Sequence, residues 1–348
     1  MTATSIRNQW RDDHPPASAV TVAGRRLRPT AVFDTYWRFA VERQRVYLSR
    51  LAGEADPWTS DPILNQHRFT NCYRAADRVS QYVITQVSYR GPMDWPEVFF
   101  RTLLFKLFNR ISTWRLLIGA VGEISWRAYS YETFDAALSR AFARGVRLYS
   151  PAYVIPQPPF GEGRKHRNHL RLLEAMMAAD APGRLAEAGS MAEAFEILKA
   201  YPGLGDFLAY QFLIDLNYSR PLDFSEMEFV VAGPGARDGI RKCFGPAAGG
   251  IEAEVIRYMA DTQSEHFERL GLEFPGLSGR PLQLIDCQNL FCEVDKYARV
   301  AHPDVVGISG RSRIKQTYRH DPAPMTAWFP PKWKINTAKL PPADPVRG

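Results

Sequence analysis

Apolar positions along this chain recur at three- and four-residue intervals, and strict alternation is almost absent, so the pattern predicts an all-α protein. Pro and Gly punctuate it into helices over 31–51, 70–89, 95–109, 131–143, 167–179, 191–200, 206–216, 253–270 and 282–300. Residues 146–160 break the series: aromatic and β-branched residues followed by three prolines predict an extended loop or short strand pair. Residues 164–167 (RKHR) follow in a Gly-flanked loop and read as a basic tip. The expected organisation is a partly ordered N-terminal arm over 1–30, a helical domain over 31–305 open to division into two lobes around a DNA cleft, and a tail over 306–348.

Composition adds constraints to this outline. The 348 residues are 45% hydrophobic and 23% charged, ordinary for a chain with a real core. No apolar run approaches the roughly 18 residues that cross a bilayer, and the first 30 residues lack a signal-peptide layout, so a soluble cytoplasmic protein is expected. Cys72, Cys243, Cys287 and Cys292 form no CxxC pair or zinc spacing, so neither a metal nor a cofactor is expected. The net charge is +7, and residues 309–348 carry eight Lys/Arg against two Asp. Arg311, Arg313 and Lys315, interleaved with Tyr318, Trp328, Phe329 and Trp333, give the tail phosphate-pairing charge and stacking surface; a solvated tail crossing the body fits the same composition.

The run Lys199-Ala-Tyr-Pro-Gly-Leu-Gly-Asp206, between two predicted helices, is how a helix-hairpin-helix is written, here spanning 191–217. Gly203 and Gly205 permit the tight turn, and the backbone N–H groups at Asp206 can approach a DNA phosphate without reading sequence. With the apolar helix that follows and the Arg220-Pro-Leu-Asp-Phe-Ser-Glu226 loop, the segment resembles the helix-hairpin-helix DNA glycosylases. In that family a catalytic Asp lies about twenty residues past the second glycine. Glu226 is the first choice here and Asp223 the second; a helix-capping or surface carboxylate is the alternative. Such an acid would stabilise oxocarbenium character and orient a water. Phe207 stands where bifunctional members have lysine, so the resemblance implies a monofunctional enzyme that leaves an abasic site.

Two further segments carry polar stripes. Arg68, Asn71, Arg74, Arg78 and Gln81 recur every three or four residues, and Asp286, Asn289, Glu293 and Lys296 do the same in the last predicted helix. Either stripe reads as a solvated helix face, but arginine and amide forks suit bidentate recognition, and a basic and an acidic stripe can pair across a shared cleft.

HRFTNCYRAADRVSQY, FNRIST, LYSPAYVI, AGPGARDGIRKCF and LIDCQNLFCEVDKYAR, in order over residues 61–299, resemble the α-glutamyl/putrescinyl-thymine pyrophosphorylases, also described as the helical domain of hydroxymethyluracil DNA kinases. That resemblance implies a glycosylase-fold derivative tied to hypermodified pyrimidines in phage DNA. It implies roles for Arg68, Asn71, Arg74, Asp77 and Arg78, for Asn109 and Arg110, and for Asp286, Gln288, Asn289, Glu293 and Lys296. No GxxxxGK[ST] loop is present, so a P-loop kinase reading is set aside.

The expectation is therefore a DNA glycosylase that excises a flipped, 5-substituted pyrimidine from double-stranded phage DNA, as in anti-phage defence. Tyr149 and Tyr153 are candidate stacking residues, core packing being the other reading, and Arg164 and Lys165 join the hairpin and tail as backbone contacts. The alternatives are a group transferase joining an amino acid or polyamine to an activated 5-hydroxymethyl pyrimidine, and a non-catalytic DNA-binding module.

Overall fold

The computed structural model describes residues 17–152, 154–321 and 323–344, and nearly all regular structure among them is helical. Two compact units result, one from the residues up to Asp77 together with Phe229–Ala327, the other from Arg78–Glu228 with the residues from Trp328 onward.

In the first unit, the described part of the predicted arm is a β-hairpin. Val20–Val22 pairs antiparallel with Arg25–Leu27 through a two-residue turn. Ala23 and Gly24 both sit at positive φ, the geometry that matches strand twist across such a turn. Thr30 then caps the Ala31–Leu51 helix by accepting the Val32 N–H at 3.1 Å. That helix buries Phe33, Tyr36, Trp37 and Phe39.

The centre of this unit is a close crossing of the Pro234–Phe244 and Leu284–Ala301 helices. Gly239 makes it possible, because a Cβ there would lie 2.1 Å from the Phe291 carbonyl oxygen. The second helix starts with a reciprocal capping box, the Gln283 and Asp286 side chains each taking the other's backbone N–H.

In the second unit the Trp95–Phe108 helix is buried along almost its whole length, charged residues included. Glu97 accepts the N–H groups of Trp126 (2.6 Å) and Arg127 (3.0 Å), and Lys106 pairs with Asp215 at 2.8 Å. Burial of such charges is tolerable because each is satisfied. The hairpin is present here, Met191–Lys199 joined to Asp206–Asn217 through a turn in which Gly203 has φ of +85°. Ser190 caps the first hairpin helix, accepting the Glu193 N–H at 3.1 Å. Ser190→Ala is expected to cost about 1 kcal/mol, read as a lower thermal midpoint.

Several expectations need correction. The predicted helix over 70–89 does not form as one piece. Residues 67–73 are loop, Arg74–Ala76 is one 3₁₀ turn, Arg78–Tyr82 is a short α-helix and Val83–Ser88 a π-turn. The span 253–270 is two helices, Glu252–Asp261 and Gln263–Arg269. Arg164 and Lys165 are no loop tip: they start the Lys165–Ala178 helix. Helices Ile111–Val121, Ala181–Glu187 and Pro234–Phe244 form as well, outside the predicted spans. Of the tail's aromatics, Trp328 and Phe329 are buried, Trp333 stacks on Phe329, and Tyr318 is half-buried.

Candidate functional site

The Leu284–Ala301 helix places Asp286, Asn289, Glu293 and Lys296 along one face, at positions separated by three or four residues. The 70–77 loop lies on that face, and its backbone N–H groups, which a helix would have used internally, go to carboxylates instead. Thr70 N–H donates to Glu293 Oε2 at 2.8 Å, Asn71 N–H to Asp77 Oδ1 at 2.8 Å and Arg74 N–H to Asp286 Oδ1 at 2.8 Å. Asn289 adds its amide to the Asn71 carbonyl at 2.9 Å, and Lys296 pairs with Glu293 at 2.7 Å. These acceptors outcompete helix formation, which is why the spacing of Arg68, Asn71 and Arg74 misled about secondary structure. The loop and the acidic stripe meet through charge-assisted contacts of the loop's backbone N–H groups, not of the arginine side chains at Arg68 and Arg78, which are exposed.

Arg43 closes the cluster, and the sequence reading missed it. Its Nε donates to the Thr70 carbonyl at 2.9 Å and its Nη2 to Asn71 Oδ1. Its one signal was position: Arg43, Tyr47 and Arg50 lie one or two turns apart on a helix otherwise rich in buried aromatics.

Burial dominates the electrostatics. It pushes the Asp77 carboxyl up to about 7, against the lowering effect of the Asn71 N–H and of Arg43 and Arg74. Asp286 is pushed up to about 6 by the same cause, again opposed by two backbone N–H groups. Two acids thus titrate near neutrality beside arginines, an arrangement suited to proton transfer. It also carries a stability signature. A folded pKa raised above the ordinary 3.8 favours the folded state fully below about 4, and that contribution is lost as pH rises through about 7 for Asp77. In chemical denaturation, wild type should therefore lose stability relative to Asp77→Asn between about pH 4 and 7; a pH-independent difference would contradict the raised value.

The remaining predicted residues fall elsewhere. Arg68 is exposed, its backbone N–H bonded to the Gln316 carbonyl at 3.0 Å, and Arg78 is exposed at the start of its short helix. Gln288 Nε2 faces Cys292 Sγ at 3.2 Å. Arg311, Arg313 and Lys315 are exposed on an extended segment. In the second unit, Asn109 ends a helix in the left-handed conformation and accepts from Lys106 at 3.0 Å, while Arg110 bonds Ser112 at 2.8 Å. Tyr149 is a packing residue there: its hydroxyl meets His169 Nδ1 at 2.7 Å and its ring stacks on Phe108. Lys165 sits over the same ring at 4.2 Å, and Arg164 lies over Phe142 at 4.8 Å. Gly205 precedes the second hairpin helix, and Asp206 pairs with Lys199 at 3.1 Å. Glu226 is buried at 6% exposure, whereas Asp223 is exposed and lies 3.3 Å from Lys332. Tyr153 lies outside the described residues.

Comparison with known proteins changes the reading of the chemistry. A family model described as "5-hmdU DNA kinase, helical domain" matches residues 30–307. A protein of Bacillus phage SP10 named "5-hmdU DNA kinase" is 26% identical over 290 residues, 76% of this chain. The chain spans under half of that relative, 45% of its length. No solved structure matches. The expected hydrolytic glycosylase is thereby overturned: the relative is named for phosphoryl transfer, and the acid roles given to Glu226 and Asp223 go with the discarded reaction. Of the sequence-based alternatives, group transfer is nearer to that activity, although the amino-acid or polyamine transfer envisaged is a different reaction. The match covers the hairpin and both polar stripes, and the chain belongs to the family of the 5-hmdU DNA kinase helical domain.

Proposed function

We propose that this chain serves phosphoryl transfer to a 5-hydroxymethyl pyrimidine in DNA, and that the 70–77 loop with its facing helix is where the acceptor hydroxyl is handled. The observation that carries this reading is Asp77, a half-buried carboxyl raised to about 7 and set among Arg43, Arg74 and Asn71. A base of that strength is ionised in a large fraction at neutral pH and basic enough to take a hydroxyl proton. In the reaction, the hydroxymethyl O–H gives its proton to Asp77 while its oxygen bonds to the terminal phosphorus of a nucleoside triphosphate. The bond from that phosphorus to the bridging oxygen breaks, and the diphosphate leaves with the electron pair. Fixed guanidinium donors stabilise charge on the transferring oxygens without reorganisation. Asn71 and Asn289 hold the loop rather than the base, the Asn71 amide bonding Arg43 and the Ala76 carbonyl and the Asn289 amide bonding Thr70 and the Asn71 carbonyl.

The exposed Arg311, Arg313 and Lys315, with Arg68 beside them, complete the reading as contacts to the DNA backbone. Two duplexes identical except for one 5-hydroxymethyluracil in place of thymine test it by fluorescence anisotropy. About tenfold tighter binding of the modified duplex is expected, the size of one charge-assisted hydrogen bond. Equal affinity for the two duplexes would remove the proposal.

A further inference from the structure

We propose that Arg43, Tyr47 and Tyr318 form a binding site for one phosphate-type oxyanion in the first unit. The inference deepens the functional reading above and depends on it only for the ligand's biological origin.

Residues 43, 47 and 50 are spaced i, i+4 and i+7 on the Ala31–Leu51 helix, so their side chains share one face. Arg43 spends two of its donors on neutral oxygens, the Thr70 carbonyl and the Asn71 amide, and no carboxylate pairs with it. Its Nη1 is buried and has no acceptor. One turn on, Tyr47 is 2% exposed, and its hydroxyl is likewise buried without a partner.

Tyr318 reaches the same region from the tail. Its segment is tied to residues 66–68 by two backbone hydrogen bonds of 3.0 Å, Arg68 N–H to the Gln316 carbonyl and Tyr318 N–H to the Gln66 carbonyl. The Tyr318 hydroxyl is buried and unpartnered, and so is Nε of Arg50. Arg43 acts electrostatically on both the Tyr47 and the Tyr318 hydroxyl, opposed by Asp77 at the first and by Asp56 and Asp321 at the second.

Polar atoms left unpaired out of water are costly, and proteins rarely gather several at one place without an occupant. The character of this group selects the occupant. A guanidinium offers donors alone, and its charge here meets no ionised partner at hydrogen-bond distance. A water molecule has two lone pairs, too few for all these donors, and leaves the charge unpaired. A cation is repelled. A tetrahedral oxyanion supplies several acceptors and a negative charge in direct contact, which Asp77 and Glu293 provide only from a distance, and an arginine with phenolic hydroxyls is a fitting set of donors for it. Beside Asp77, such a site would hold phosphoryl oxygens next to the acceptor base.

The test uses the full chain with inorganic phosphate as probe, followed by thermal shift and calorimetric titration. Wild type should show a saturable rise in midpoint, which Tyr47→Phe and Tyr318→Phe each weaken about tenfold in affinity and Arg43→Met abolishes. The phenylalanine variants keep the fold readable, because removing an unpartnered hydroxyl leaves the apo midpoint unchanged or higher. No phosphate response in wild type, or an equal response in all four proteins, would overturn the site. Repeating the titration with saturating unmodified duplex separates the sources. A lost response assigns the pocket to a DNA phosphate and a retained one to a free or transferring phosphate, both with the site intact. Because the primary readout needs no modified base, its failure is distinct from a failure to discriminate 5-hydroxymethyluracil.

Discussion

Gly239→Ala is expected to destabilise the protein by about 3 kcal/mol, at the upper end of what overpacking costs. The new Cβ would lie 2.1 Å from the Phe291 carbonyl oxygen and 2.7 Å from its carbon. Both are backbone atoms, so no rotamer change relieves the clash, and the Pro234–Phe244 and Leu284–Ala301 helices must separate. A fall in thermal midpoint of roughly 6–10 °C follows for a cooperative unit of this size. The effect reaches function through one element, because the displaced helix carries Asp286, Asn289 and Glu293, which hold the 70–77 loop. Discrimination between modified and unmodified DNA should therefore weaken in parallel. Gly119→Ala is the matching control. It lies inside the Ile111–Val121 helix with nothing within 4 Å of its Cβ position, and a gain of about 0.5–1 kcal/mol is expected there. Equal effects of the two substitutions would show that the close crossing does not bind the unit together.

The second large effect concerns chemistry. Asp77→Asn should slow phosphoryl transfer to 5-hydroxymethyluracil DNA by about 10²- to 10⁴-fold, the range for losing a positioned general base. Structure should survive, since the amide oxygen can still accept the Asn71 N–H that Asp77 Oδ1 accepts at 2.8 Å. Affinity for the modified duplex should change far less than the rate. In wild type the rate should climb with pH and level off above about 7, as the carboxyl loses its proton, and the variant should lose that limb. An unchanged rate in Asp77→Asn, or a wild-type profile flat between pH 5 and 8, would transfer the base role to another group, Asp286 being the nearby acid raised to about 6.

What the sequence could reveal differed by element, for physical reasons. The Ala31–Leu51 helix was legible to the residue because its cap, periodicity and apolar face are local signals. The polar stripe at 68–81 was legible as chemistry and misread as structure. Two of the carboxylates that take its N–H groups, Glu293 and Asp286, are more than 200 residues away, and no local propensity reports them. Arg43 was hidden for a related reason. It is one of several arginines on its helix, and only the folded chain shows which of them is covered and left with a free arm. The tail showed the reverse problem in its second half, where Lys332 and Trp333 read as part of a nucleic-acid surface. Lys332 and Trp333 instead fill the second unit, the lysine donating to the Asn217 and Leu222 carbonyls. The glycosylase reading failed because a hairpin followed by a carboxylate is a scaffold feature, and scaffolds do not dictate chemistry. The ordered sequence blocks were the sounder guide, and the matching family model covers them.

The central claim is that the Asp77 cluster receives the hydroxymethyl group of a modified pyrimidine. Its most direct test is a crystal structure of the protein bound to a short duplex carrying one 5-hydroxymethyluracil. The account predicts the hydroxymethyl oxygen within about 3 Å of an Asp77 carboxylate oxygen. A modified base seated away from the 70–77 loop, or a duplex with that base still stacked in the helix, would contradict it.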